Sequence, residues 1–83
     1  MPVCKPEPYP HRKRFGKNIA LLRERRRLTQ EALAEKIGVS ARYLQSVEAG
    51  EYFPSLTKLV QLRVSLRCDW SDLFAGCTKV HPL

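Results

Sequence analysis

Gln30-Glu31-Ala32-Leu33-Ala34-Glu35-Lys36-Ile37-Gly38-Val39-Ser40-Ala41-Arg42-Tyr43-Leu44-Gln45-Ser46-Val47-Glu48-Ala49 is the stretch that decides the fold. Its first half places Leu33, Ala34 and Ile37 on one side of a short helix, and its second half does the same with Leu44 and Val47. Between them, Gly38-Val39-Ser40 is a turn. Two short helices that cross steeply need a small residue at the crossing, which Ala34 supplies. They need a residue free to take positive φ where the turn opens, which Gly38 supplies. They also need apolar residues to fix the angle, and Val39 joins the five named above. What remains on the outer side of the second helix is Ala41, Arg42, Tyr43, Gln45, Ser46 and Ala49. That face is slim, polar and free of acids, dimensions suited to a DNA major groove about 12 Å wide.

Helical signals continue on both sides. Phe15, Ile19 and Leu22 recur at i, i+4 and i+7 and predict a helix over about residues 13–27. Thr29 caps the next helix, with the capping box left incomplete because Ala32 stands where Glu would. Ser40 caps the helix after the turn. Ser55 caps a fourth, whose apolar residues are Leu56, Leu59, Leu62 and Leu66. Asp69 caps a last short helix, Trp70 to Phe74, closed by Gly76. No segment alternates with the period of a strand. The expected fold is all-α, a compact bundle of five short helices around a central helix-turn-helix at residues 12–76. Pro2, Pro6, Pro8 and Pro10 mark residues 1–11 as a flexible, non-helical arm, and residues 77–83 as a tail.

With 83 residues the chain is one small domain. Its net charge of +7 is confined to residues 1–27, which hold nine basic and two acidic side chains, whereas residues 28–83 hold six of each. Such a block calls for a polyanionic partner. The longest apolar run, Ile19-Ala20-Leu21-Leu22, is too short for a membrane span or signal peptide. A basic amphipathic membrane helix at residues 12–28 is disfavoured because the core claims its apolar face. Cys4, Cys68 and Cys77 form no close pair, and His11 and His81 lie near opposite ends. Neither a metal site nor a disulfide scaffold is expected, and a reducing, cytoplasmic compartment fits best. Cys68 reads as a small core residue and Cys77 as a tail thiol. There is no paired carboxylate, no nucleophile beside a base and no phosphate-cradling glycine loop, so no enzyme and no cofactor are expected.

The text Ile19 to Arg23, Leu28-Thr29-Gln30-Glu31, Leu33 to Ser40, Val47-Glu48-Ala49-Gly50, Pro54-Ser55-Leu56, Leu59, Leu66 and Leu73-Phe74 resembles the Xre-type, lambda-repressor-like helix-turn-helix family over about residues 14–75. The resemblance implies sequence-specific binding of double-stranded DNA, usually as a homodimer, with the helix at residues 40–49 in the major groove. It implies that Gln30 clamps a phosphate, that Ser40 and Tyr43 meet backbone or flanking bases, and that Ala41, Arg42 and Ser46 read base edges. Arg42 suits guanine, whose O6 and N7 its fork can engage together. Arg23 and Glu48 resemble a structural ion pair that poses the recognition helix. Departures follow Gly50. Glu51 stands where relatives carry phosphate-holding residues, Arg63 where a small residue commonly packs, and Arg67 where Gly commonly ends the fourth helix.

Each sharp reading has a plainer companion. Arg25-Arg26-Arg27 is read first as a solvated helix end. The basic cluster Arg12, Lys13 and Arg14 is either a phosphate or minor-groove contact or a soluble approach to the first helix. Tyr43 either touches DNA or packs its ring. Tyr52, Phe53 and Trp70 are satellite core or an interface. The leading function is a DNA-binding transcriptional regulator, with repressor preferred. The alternative is a protein-interaction module or antitoxin-type protein that meets a partner such as a toxin.

Overall fold

The computed structural model describes residues 10–77 of the chain. Five helices follow in order: α1 (Pro10–Arg25), α2 (Gln30–Ile37), α3 (Ala41–Glu48), α4 (Leu56–Leu66) and α5 (Trp70–Leu73). No strand occurs among the described residues. The expected all-α bundle is thus the one observed, with α1 beginning and ending earlier than its apolar period suggested. Pro10 and His11, expected in a non-helical arm, open α1. A proline is tolerated in the first turn, where its missing N–H would have no intrahelical acceptor. The rest of the arm, residues 1–9, and the tail beyond Cys77 lie outside the described residues.

The caps fall where short polar side chains were found. Thr29 Oγ1 accepts from the Ala32 N–H at 3.0 Å, Ser40 Oγ from the Tyr43 N–H at 3.0 Å, and Ser55 Oγ from the Lys58 N–H at 3.4 Å. Gly38 ends α2 at φ +73°, and its chain reversal sends the Val39 N–H back to the Ala34 carbonyl. At α5 Asp69 and Asp72 form a reciprocal capping box, in which the Asp72 carboxylate accepts from the Asp69 N–H at 3.0 Å. Arg67 closes α4 in the left-handed region, φ +52°, a conformation glycine would adopt without cost.

The core gathers Phe15, Ile19, Leu22, Leu33, Ala34, Ile37, Leu44, Val47, Leu59, Leu62, Leu66 and Leu73. α1 and α2 both pack on α3, α2 also packs on α4, and α1 on α5. Leu56, expected inside with the other leucines of α4, is instead 72% exposed. It lies in line with Val60 and Val64, four and eight positions on, and these too face outward. The buried line on α4 is Leu59, Leu62 and Leu66.

Polar contacts tie the helices at their ends. Asn18 is the one buried polar residue among those described, and its Nδ2 donates to the carbonyls of Leu73 (2.8 Å) and Ala75 (2.9 Å). Lys58 Nζ donates to the Ile37 carbonyl at 2.7 Å, which closes the C-terminal end of α2. Arg26, expected in solvent, does the same for α4 by donating to the carbonyls of Leu66 (2.8 Å) and Arg67 (2.9 Å). Arg63 lies within a continuous α4, and its guanidinium sits over the Trp70 ring, 5.3 Å from the centroid. Cys68 and Cys77 are both half-buried against the core, and burial pushes each thiol above its usual range.

Candidate nucleic-acid interface

α3 is held from behind, which leaves its front free. Leu44 and Val47 are fully buried, so their side of the helix is fixed to the core. On the other side Arg42, Gln45 and Ala49 are exposed, and Ala41, Tyr43 and Ser46 are half-exposed. Of the expected base readers, then, Arg42 reaches furthest into solvent, while Ala41 and Ser46 border it. Ser40 Oγ spends its acceptor on the cap, yet the residue is exposed and its hydroxyl proton remains to donate.

The pose of α3 is set by one partly buried polar node. Arg23 Nε donates to Glu48 Oε2 at 2.7 Å and Arg23 Nη2 to Glu48 Oε1 at 3.2 Å, a two-pronged pair with side chains only 13% and 9% exposed. Arg23 Nη1 donates to the Leu28 carbonyl at 2.8 Å, and Gln30 Nε2 donates to Glu48 Oε1 at 2.9 Å. The bonded carboxylate raises the already high pKa of Arg23 against the lowering effect of burial. The node thereby joins α1, the α1–α2 turn, the start of α2 and the end of α3. Gln30 is half-buried and shares this network, so its amide is oriented by Glu48 while its own backbone begins α2.

Gly16 is a positioning residue that the periodicity of α1 did not disclose. A Cβ there would press on the carbonyl oxygens of Val47 and Glu48. Only glycine lets α1 lie this close to the end of α3. Within a helical run a lone glycine carries no sequence signal beyond its poor propensity, so its role emerges only from the packing.

The basic cluster divides. Lys13 lies against Gly50, at the end of α3, because a Cβ on that glycine would stand 2.6 Å from Lys13 Cγ. Arg14 turns the other way, its Nε donating to the Ala75 carbonyl at 3.2 Å. Arg12 is half-exposed on the first turn of α1. Of the three expected cations, Lys13 thus adjoins the turn after α3, while Arg14 braces the turn after α5.

Aromatic residues after α3 extend its surface. Tyr43 and Tyr52 meet edge to face with centroids 5.3 Å apart, and together with Ser46 and Glu51 they line an open cleft of about 330 Å³. Desolvation, helped by Tyr52 nearby, pushes the Tyr43 hydroxyl above its ordinary value, so it stays protonated at neutral pH. The Tyr43 ring therefore packs on Tyr52 and lines the cleft. Phe53 meets Phe15 in a tilted contact with centroids 5.0 Å apart, and Phe15 also meets Phe74 at 5.4 Å. No group of three or more His, Cys, Asp or Glu side chains converges as a metal site among the described residues, and no described helix is long and apolar enough to cross a membrane.

Comparison with known proteins places residues 19–73 in a family described as Helix-turn-helix. The chain is 40% identical over 62 residues to an uncharacterized HTH-type transcriptional regulator, y4dJ, of Sinorhizobium fredii, a match covering 75% of this chain and 80% of that protein. It is 46% identical over 44 residues to the immunity repressor protein of Bacillus phage phi105, covering 53% of this chain and 31% of the repressor. Among solved structures, the restriction-modification controller protein C.AhdI from Aeromonas hydrophila superposes with a TM-score of 0.70 at 32% identity, over 75% of this chain and 94% of that one.

Proposed function

Because the chain belongs to the helix-turn-helix family of lambda-repressor-like type, we propose that it is a transcriptional regulator that binds double-stranded DNA by sequence, with α3 in the major groove. The observation that carries this reading is the outward face of α3, where exposed Arg42 stands among short side chains on a helix clamped through Glu48. Arg42 pairs with guanine O6 and N7. Ala41 and Ser46 shape the contact on either side, and Ser40 and Tyr43 meet backbone or flanking bases. Gln30, steered by Glu48, donates to a phosphate at the positive end of α2. Arg12, Lys13 and Arg14 add phosphate attraction without base preference. Nothing in this set performs bond chemistry; the protein acts by occupancy, as a repressor. It requires no cofactor and works in the cytoplasm. The reading as a protein-interaction module is not favoured by the family.

We further read the functional form as a homodimer joined through α4. Leu56, Val60 and Val64 form an exposed apolar line. Both cations of that helix are drawn away from it, Lys58 to the Ile37 carbonyl and Arg63 to Trp70. An uncharged stripe with Val60 at its middle is self-complementary under a two-fold axis: Leu56 of one copy meets Val64 of the next.

Selection from random duplexes, followed by titration at several salt concentrations, tests the function. The expected result is a palindromic site containing guanine, two half-sites about one helical turn apart. Arg42→Ala relaxes the guanine preference, a loss of about 1–3 kcal/mol in discrimination, while leaving the salt slope nearly unchanged. Failure of the unaltered protein to select any site overturns the reading.

A further inference from the structure

From the cleft beside α3, we infer that Glu51 is a specificity-determining residue that reads the amino group of a cytosine, with the Tyr43 and Tyr52 rings enclosing the adjacent C5 edge. This rests on the placement of α3 in the major groove. Three observations lead to it. The Glu51 N–H donates to the Ser46 carbonyl at 2.9 Å, which fixes the residue just past the C-terminal end of α3. Glu51 is exposed, and it lines the same cleft as Tyr43, Ser46 and Tyr52. Those two rings meet edge to face at 5.3 Å and give the cleft an apolar wall beside Glu51.

A carboxylate at a DNA-facing position is repelled by phosphates, and it only accepts hydrogen bonds. In the major groove, guanine presents N7 and O6 and thymine presents O4, all acceptors that a carboxylate meets unfavourably. Donors come only from cytosine N4 and adenine N6. Adenine sets its N7 acceptor beside N6, against the second carboxylate oxygen. Cytosine sets the apolar C5–H beside N4, and apolar ring walls match it. The cleft therefore prefers cytosine, then adenine, and rejects guanine and thymine. A methyl group on cytosine C5 adds apolar contact with the rings and leaves N4 free, so methylation of that cytosine preserves or strengthens binding.

Random-duplex selection with the full chain, Glu51→Gln and Glu51→Ala tests the assignment, with thermal unfolding of each variant to establish that it is folded. The unaltered protein is expected to select a cytosine at a position that Arg42→Ala does not affect. Replacing that cytosine by thymine is expected to weaken binding about 10-fold. Glu51→Gln moves the preference toward adenine, because an amide donates to N7 while accepting from N6. Glu51→Ala abolishes preference there and raises affinity for unrelated duplex, because a repelled charge is gone. An unchanged base profile in folded Glu51→Gln and Glu51→Ala overturns the inference and leaves the regulator reading intact. Failure of the unaltered protein to select any site overturns that reading, and this inference with it.

Discussion

A methyl group is the difference between Gly16 and alanine, and there is no space for it between α1 and the carbonyls of Val47 and Glu48. Adding it must push α1 off the end of α3, where Glu48 takes its bonds from Arg23 and Gln30. Gly16→Ala therefore loses stability, by about 1–3 kcal/mol for overpacking of this kind, although alanine is the better helix former by about 1 kcal/mol. Urea unfolding checks the sign; a stabilised variant would mean that the helices part without strain. The same residue marks the limit of what the chain's text discloses. Arg23 and Glu48 could be paired beforehand because the resemblance supplied the partner, and Gly38 because a turn between two apolar runs demands positive φ. Gly16, Asn18 and Lys58 act on backbone carbonyls of distant elements, and a carbonyl has no letter in a sequence. Arg26 is of the same kind: its neighbours in the chain suggest solvent, whereas the Leu66 and Arg67 carbonyls that hold it are forty residues away.

At the scale of the element, α2, the turn and α3 were legible almost residue by residue because each apolar position had one consistent face to occupy. α4 was legible only in part. Its leucines at 56, 59, 62 and 66 suggest one inward line, yet at about 100° per residue Leu56 also aligns with Val60 and Val64, and the body of the molecule covers only the other line. The consequence is an uncovered apolar stripe on a helix that is otherwise an ordinary core element. If this stripe joins two copies, Val60→Asp places two carboxylates at the centre of the two-fold contact, where like charges and desolvation oppose association. Sedimentation velocity is expected to show a dimer for the unaltered chain and a folded monomer for Val60→Asp. The variant is also expected to bind a single half-site as well as the parent monomer does, and to lose its advantage on the palindrome. A monomer in both cases, at concentrations that saturate the palindrome, would place the two-fold contact elsewhere.

For the whole molecule, the distribution of charge separates attraction from choice. All of the +7 belongs to residues 1–27, while α3 contributes one cation, Arg42, and one anion, Glu48, the latter consumed by Arg23. The structure refines this division. Arg23 and Arg26 are spent internally on Glu48 and on the end of α4, and Arg14 partly on Ala75. In the proposed complex Arg12 and Lys13, on the first turn of α1, contribute phosphate attraction alongside their contacts within the fold, and Lys13 adjoins Gly50 just after α3. Each phosphate that such a cation neutralises adds about 0.9 to the steepness with which log K falls against log salt. Arg12→Gln with Lys13→Gln is therefore expected to weaken binding to specific and unrelated duplexes by similar factors and to flatten the salt dependence by up to about 2 per protomer. The selected base sequence should stay the same, because Arg42, Ser46 and Glu51 are untouched. Titrating both duplexes from low to moderate salt distinguishes this from a role in base choice. A changed sequence with an unchanged slope would assign the first turn of α1 to readout and end the separation of the two tasks.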